Sequence, residues 1–208
     1  LVLFVLARNR RQVALVNLHL CFPLLEEHDV RRLARRHFIA FAQAFLDRTL
    51  GWWASPTRLR KLIRLRGEEY LHDPGGRPTI LLAPHFVGLD AGGTMMTMLT
   101  PLVSVYSNQK NPVFNRVLLA GRLRFNHPLL LSRQDGMRKV VKALKGGHPF
   151  YYLPDMDFGA RDAVFVPFFG VPAATITGVS RLARIAGAAV LPVITRMVGN
   201  HYVVSIGE

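Results

Sequence analysis

The sequence predicts an α/β fold with a mostly parallel central sheet flanked by helices and an N-terminal helical region before it. Short β-branched and aliphatic runs alternate with helical segments from residue 57 onward, an order typical of α/β proteins. The run at 79–83, TILLA, is apolar throughout, as expected of a strand buried on both faces of a parallel sheet. Apolar side chains at spacings of three and four over 30–50 predict a long amphipathic helix ahead of the sheet.

The first residues are apolar and the next are basic. We interpret the opening LVLFVLA as the end of a membrane anchor, because Arg8, Arg10 and Arg11 follow it as they would on the cytoplasmic side. This run is too short to span a bilayer, which needs about 20 apolar residues, and an ordinary first helix is the alternative. We expect a fragment with a single domain, divided into 1–7, a basic helical region at 8–56 and an α/β catalytic core at 57–208.

The long helix begins after Asp29, which can cap it, and follows a shorter helix at 13–20. Its apolar stripe consists of Val30, Leu33, Ala34, Phe38, Phe41, Phe45 and Leu46. Its basic face consists of Arg31, Arg32, Arg35 and Arg36. That face is either the solvated side of a bundle helix or an interfacial surface against anionic lipid.

The later elements follow from the same periodicities. Ser55 and Pro56 open a short helix, and 73–76 is a surface turn. Further helices are predicted at 89–100, 113–124, 134–145 and 178–187. Further strands are predicted at 62–65, 102–106, 129–131, 150–153 and 189–194, with extended segments at 164–166 and 168–169 and an edge strand at 202–206.

The stretch at 79–94 is the best candidate for chemistry. Pro84 ends the strand ladder, His85 stands at the strand's carboxyl end, and Asp90 falls in the first turn of the next helix. At this spacing the carboxylate can fold back onto the imidazole, hold one ring nitrogen protonated and leave the other as a general base. The alternative is a turn residue and a helix cap.

Charge and composition limit the classes of binding partner that suit this chain. The formal net charge is +14 and half of the residues are hydrophobic, which together favour an anionic membrane leaflet or a phosphorylated lipid over nucleic acid. The lone Cys21 excludes an internal disulfide and a cysteine zinc site. No Gly-x-Ser-x-Gly or Walker motif occurs. Asp155 and Asp157 could hold a divalent metal, although two carboxylates on a turn more often cap it.

The motif His85-x4-Asp90 resembles the signature of the glycerolipid and lysophospholipid acyltransferase superfamily. The run at 150–193 is similar to the lipid A late acyltransferases in particular, the bacterial lauroyl and myristoyl acyltransferases. The resemblance covers nearly the whole chain, and the second run is the more specific part.

This resemblance implies the superfamily's α/β sandwich and transfer of a fatty acyl chain to a hydroxyl of a lipid A precursor. His85 would be the base and Asp90 its orienting partner, while Arg133 and Asp155 would lie on the acceptor side. The donor would be an acyl thioester of acyl carrier protein or coenzyme A, with no cofactor and no metal. The resemblance also implies the cytoplasmic face of the bacterial inner membrane, with its anionic surface as a partner.

Two other functions stay open at this point. One is another acyltransferase of the superfamily, acting on a glycerophosphate, mycolipid or phosphoinositol-mannoside acceptor. The other is a non-enzymatic basic module that binds nucleic acid, which would need aromatic and basic residues interleaved on an exposed sheet or a recognition helix. The sequence has neither, so we expect no nucleic-acid partner. Met95, Met96, Met98 and Leu99 could line a pocket for the acyl chain or belong to the core.

Overall fold

The computed structural model describes residues 2–71, 76–156, 159 and 163–207. Residues 73–75 of the predicted turn and the carboxylate of Asp157 lie outside this part of the chain. The described α-helices are α1 (Val2–Leu6), α2 (Arg8–Cys21), α3 (Glu27–Trp53), α4 (Pro56–Leu62), α5 (Leu89–Leu99), α6 (Pro112–Arg122), α7 (Met137–Lys145) and α8 (Gly178–Ala186). The described strands are β1 (Ile63–Arg66), β2 (Thr79–Leu82), β3 (Val103–Tyr106), β4 (Leu129–Ser132), β5 (Phe150–Tyr152), β6 (Ala163–Phe168), β7 (Val171–Ile176), β8 (Ala189–Val198) and β9 (His201–Ile206).

The predicted α/β fold is confirmed, with one seven-stranded sheet in the order β1-β9-β8-β2-β5-β3-β4. Neighbouring strands are parallel except for the β8–β9 hairpin. The carboxyl ends of β2, β5, β3 and β4 therefore lie along one edge of the sheet, where ligands bind in open α/β structures. Buried side chains fill both faces: Leu81 and Met96 belong to the cluster on one face, and Ile80 and Leu144 to the cluster on the other.

The helix predicted at 134–145 is shorter than expected, because a 3₁₀ turn (Arg133–Asp135) precedes α7. Gly136 separates the two with a φ of 77°, a left-handed backbone conformation that interrupts the helix. The carboxylate of Asp135 accepts a hydrogen bond from the backbone N–H of Ser132 at 2.7 Å, so the turn is a capped unit of its own.

The strand predicted at 202–206 is confirmed as β9, but its predicted edge position is wrong. β9 pairs with β1 on one side and with β8 on the other, and Tyr202, Val203 and Val204 are buried. The short and partly polar β1 takes the edge instead. β7 was not predicted at all, because its sequence VPAATI lacks large alternating side chains; it pairs with β6 as an antiparallel hairpin.

The described residues form two compact units. One contains described residues of 1–46 and 157–177, and the other contains those of 47–156 and 178–208, with the large sheet. In the first unit, Phe4, Ala34 and Phe38 make a small buried cluster. The far end of the predicted stripe on α3 is exposed at Phe41, Phe45 and Leu46, so the stripe is only partly a core surface. Within the described residues, no helix is long and apolar enough to cross a membrane.

Candidate active site

His85 follows the carboxyl end of the central strand β2. Pairing with β5 continues one residue past the strand, because the N–H of Ala83 donates to the carbonyl of Tyr152 at 2.9 Å. Pro84 then ends the pairing, since it has no N–H, and the chain turns toward solvent. The side chain of His85 is 40% exposed, so a substrate can reach the ring.

Asp155, after the neighbouring strand β5, holds His85 through two hydrogen bonds. Oδ2 accepts from the backbone N–H of His85 at 2.6 Å, and Oδ1 lies 2.6 Å from its Nδ1. A carboxylate can only accept, so Nδ1 is the protonated nitrogen of the neutral ring, and Nε2 carries the free lone pair. This arrangement is the one required of an oriented general base.

Asp90 lies in the first turn of α5, as predicted, but its hydrogen bonds go to Arg48 of α3. Nε and Nη2 of Arg48 approach Oδ2 of Asp90 at 2.9 and 2.5 Å. No hydrogen bond joins Asp90 to His85 among the described residues, so the expected contact between them is absent. A guanidinium is charged at all times and offers a stronger bond to a carboxylate than a neutral imidazole does. The catalytic role of Asp90 stays a prediction.

Two glycines let the start of α5 pack closely against the sheet. A Cβ on Gly92 would lie 2.2 Å from Oγ1 of Thr195, and one on Gly88 would lie 2.7 Å from Cγ2 of the same threonine. Any side chain at either position would push the helix outward and move Asp90. The lack of a side chain at Gly88 and Gly92 is therefore required by this close packing.

The same packing brings Tyr151 near Asp90. The hydroxyl of Tyr151 is buried and has no hydrogen-bond partner among the described residues. Burial raises the pKa of Tyr151, and the negative charge of Asp90 raises it further. The phenol is therefore neutral at physiological pH and is not a candidate base.

The last residues of α3, from Asp47 onward, belong to the same unit as the large sheet. Asp47 accepts a hydrogen bond from the hydroxyl of Tyr202 at 2.7 Å, and the next residue, Arg48, binds Asp90. Withdrawal from water lowers the pKa of Arg122 on α6, while the charge of Asp90 raises it and that of Arg48 lowers it. Arg48 and Arg122 thus surround Asp90 with positive charge. Neither was predicted, because only the fold brings them to α5.

Arg133 directly follows β4, on the same edge of the sheet as His85 and Asp155. Two strand spacings, roughly 10 Å, separate β4 from β5, so an extended acceptor could contact both ends. Asp135 fixes the turn that carries Arg133 by binding Ser132 and Lys139. The role of Arg133 toward an acceptor stays a prediction.

Metal ligands are a separate matter. Within residues 2–71, 76–156, 159 and 163–207, no group of three or more His, Cys, Asp or Glu side chains could hold a metal ion. Asp155 is engaged with His85, and Asp157, the second carboxylate of the pair considered for a metal, is outside the described residues.

Comparison with known proteins agrees with the resemblance. The model of the bacterial lipid A biosynthesis acyltransferase family matches residues 2–206. The chain is 33% identical to the lipid A biosynthesis lauroyltransferase of Escherichia coli K12, over 91% of this chain and 62% of that protein. It is 30% identical to the palmitoleoyltransferase of the same organism over 89% of this chain and 61% of that protein, and 30% identical to its myristoyltransferase over 90% and 58%.

The chain thus spans about three-fifths of the length of these relatives. The family match itself extends over nearly every residue of the chain, including both units and the edge of the sheet that carries His85 and Asp155. The chain belongs to the bacterial lipid A biosynthesis acyltransferase family.

Proposed function

We propose that this chain carries the catalytic centre of an O-acyltransferase that moves a fatty acyl group from a thioester to a hydroxyl of a lipid A precursor. One observation carries the proposal: the exposed His85 has its Nδ1 and its backbone N–H bound by one carboxylate, that of Asp155, at 2.6 Å each. Family membership supports the acceptor class.

The proposed reaction is a direct transfer. Nε2 of His85 takes the proton of the acceptor hydroxyl while the oxygen of that hydroxyl attacks the thioester carbonyl. The new C–O bond forms, the C–S bond breaks, and the departing thiolate takes the proton back from the imidazolium. A thiolate leaves readily, so this route needs no acyl-enzyme intermediate.

The two carboxylates have different parts in this proposal. Asp155 keeps the ring oriented and stabilises the imidazolium through a charge-assisted hydrogen bond. Asp90, in the first turn of α5, is proposed to favour the same cation through its negative charge, which Arg48 and Arg122 partly offset. Its own hydrogen bonds to Arg48 hold that charge in a defined position.

The acceptor side of the proposal rests on Arg133. A guanidinium binds phosphate through two parallel hydrogen bonds, and lipid A precursors are phosphorylated sugars. The donor is proposed as an acyl thioester of acyl carrier protein or coenzyme A. The relatives are named for lauroyl, palmitoleoyl and myristoyl groups, so acyl length varies within the family.

We place the reaction at the cytoplasmic face of the inner membrane as part of the same proposal. The basic face of α3 borders a groove of about 470 Å³ lined by His28, Arg31, Arg32, Arg35, Arg36 and Ile39. Lipid headgroups with negative charge suit such a surface, each basic residue contributing roughly 1 kcal/mol near the membrane.

The test follows release of free thiol from lauroyl thioesters of acyl carrier protein and of coenzyme A. We expect release only when a lipid A precursor is present, and not with a lysophosphatidic acid acceptor. His85→Ala should lower the rate by about 10²-fold or more, because a general base contributes 10²- to 10⁴-fold. Unchanged transfer in His85→Ala would refute the mechanism, and transfer to lysophosphatidic acid alone would refute the acceptor.

A further inference from the structure

The unit that contains α1 and α2 also carries an aromatic knob, which we define as the exposed Phe168 and Phe169, the half-buried Phe22 and the exposed Leu24 of the α2–α3 loop. Phe169 packs edge-on against Phe22, with 5.2 Å between the ring centroids, and against Phe168 at 4.8 Å. Leu24 is 96% exposed, Phe168 60% and Phe169 54%. Two segments far apart in the chain thus join to present large apolar side chains to solvent.

The backbone of the hairpin tip is adapted to display these rings. Phe168 pairs with Val171, so Phe169 and Gly170 are the whole loop, and their φ angles are 50° and 77°. Such two-residue loops favour Asn-Gly, because left-handed conformations disfavour bulky side chains. A phenylalanine at the first loop position is therefore a strained choice for the fold, and it places an exposed ring at the tip of the hairpin.

The hairpin that carries the tip is apolar along its length. Residues 163–176 contain no charged side chain, although 27 Lys and Arg and 13 Asp and Glu occur in the chain. Val164, Phe165 and Val166 are also exposed. Among the described residues β6 and β7 pair only with each other, and a two-stranded sheet alone is marginally stable in water. An exposed apolar surface of this kind marks an interaction site.

The charges of the same unit indicate the partner. The arginine face of α3 lies in this unit, and Arg31 and Arg32 are 59% and 71% exposed despite their ion pairs. A partner that accepts apolar rings and attracts arginines has an apolar interior and a negatively charged surface. An anionic lipid bilayer has both, whereas a second copy of this chain would repel the first, since its formal net charge is +14.

We propose that the aromatic knob inserts into the acyl-chain region of an anionic bilayer, so that the β6–β7 hairpin and the α2–α3 loop anchor this unit to the membrane. The choice of a membrane rests in part on the proposed lipid acceptor. The insertion itself rests on the exposed rings and the uncharged hairpin. It therefore predicts a salt-resistant part of membrane binding, separate from the salt-sensitive attraction of the arginines.

The test is sedimentation of the protein with phosphatidylglycerol and phosphatidylethanolamine vesicles at 0.1 M and 1 M salt. The variant is Phe168→Ser with Phe169→Asn, in which asparagine suits the left-handed loop position and preserves the hairpin. We expect its partition coefficient at 1 M salt to fall by about 10-fold or more, since two rings no longer leave water. The control, Val113→Ser with Ile185→Ser, removes apolar side chains that are 71% and 62% exposed elsewhere and should bind as the parent does.

A depth measurement gives an independent readout. A nitroxide at Phe169→Cys, in a Cys21→Ser background, should lose collisions with a water-soluble nickel chelate when vesicles are added, while one at Val198→Cys should not. Equal salt-resistant binding of the knob variant and the parent, or a bound label that stays open to the chelate, would overturn the inference. Loss of a dimer in the knob variant with unchanged vesicle binding would assign the knob to self-association instead.

Failure of the membrane insertion can be distinguished from failure of the proposed acyl transfer. The knob variant should transfer acyl groups to a detergent-dispersed acceptor at the parent rate, because none of its substitutions touches His85 or Asp155. An enzyme that is inactive on every acceptor but still inserts the knob would refute the proposed function and leave this inference standing.

Discussion

The carboxylate of Asp90 is bound by the guanidinium of Arg48, 42 positions earlier in the chain, with Nη2 and Oδ2 2.5 Å apart. The histidine five residues before Asp90 is held by Asp155 instead. The residue that the motif predicts as the partner of His85 is Asp90, but the residue that forms the hydrogen bond is Asp155. The two carboxylates can be tested separately.

Asp155→Asn should lower kcat by about 10²- to 10⁴-fold. An asparagine amide can present N–H to Nδ1, which would move the ring proton to Nε2 and remove the lone pair needed for catalysis. Steady-state rates with saturating donor and acceptor measure the effect, and circular dichroism checks the fold. A variant with the parent rate would mean that Asp155 only shapes the loop.

Breaking the ion pair of Arg48 and Asp90 should destabilise the fold. The side chains are 26% and 33% exposed, so we expect Arg48→Gln to lower the free energy of unfolding by about 1–2 kcal/mol after allowing for solvent screening. Arg48→Gln with Asp90→Asn should recover part of this loss, because no carboxylate that has lost its hydrogen-bonded guanidinium remains. Urea unfolding of both single variants and the double variant gives the coupling energy, and strict additivity would show that the pair is not coupled.

Met96 and Met98 of α5 differ in burial, so a core role and an acyl-pocket role can be tested on different residues. Met96 is fully buried and packs in the core cluster that includes Leu81 and Tyr151, whereas Met98 is only partly buried against that cluster. Met96→Ala should lower the free energy of unfolding by about 2–5 kcal/mol and reduce transfer of every acyl length equally. Met98→Trp is the matched test of a pocket: a shift toward shorter donors in competition assays would support one, and an unchanged ranking would assign Met98 to the core.

The capped turn before α7 should respond to acid. Hydrogen bonds from Lys139 and from Ser132 lower the pKa of Asp135 from 3.8 to about 2. A carboxyl whose folded pKa is lowered stabilises the fold above its unfolded pKa and loses that contribution as pH falls. We expect the turn that carries Arg133 to loosen between pH 4 and pH 2. An NMR titration of the Asp135 carboxyl and the Arg133 amide measures this, and Asp135→Asn should abolish the transition; a midpoint near 4 in the parent would contradict it.

The prediction of the helices and strands succeeded where a pattern was long or bounded by clear signals. α3 shows its period in the sequence, Ser55 and Pro56 mark the start of α4, and the apolar run before Pro84 is β2. The prediction failed where pairing between strands determines whether a strand forms or where it lies in the sheet. β7 exists because β6 lies opposite it, and β9 is internal because β1, from a distant part of the chain, pairs with its outer side.

The active-site candidates divide in the same way. Local sequence placed His85 at a strand end and Asp90 in a first helical turn, because both depend on residues within one strand-to-helix connection. The partners of these side chains depend on strand order and helix docking. β5 pairs with β2 and so brings Asp155 beside His85, while the end of α3 brings Arg48 to Asp90 across 42 residues. A periodicity or a motif depends on residues that are close along the chain. The hydrogen bonds between these side chains form only because the tertiary structure brings residues from distant parts of the chain into contact.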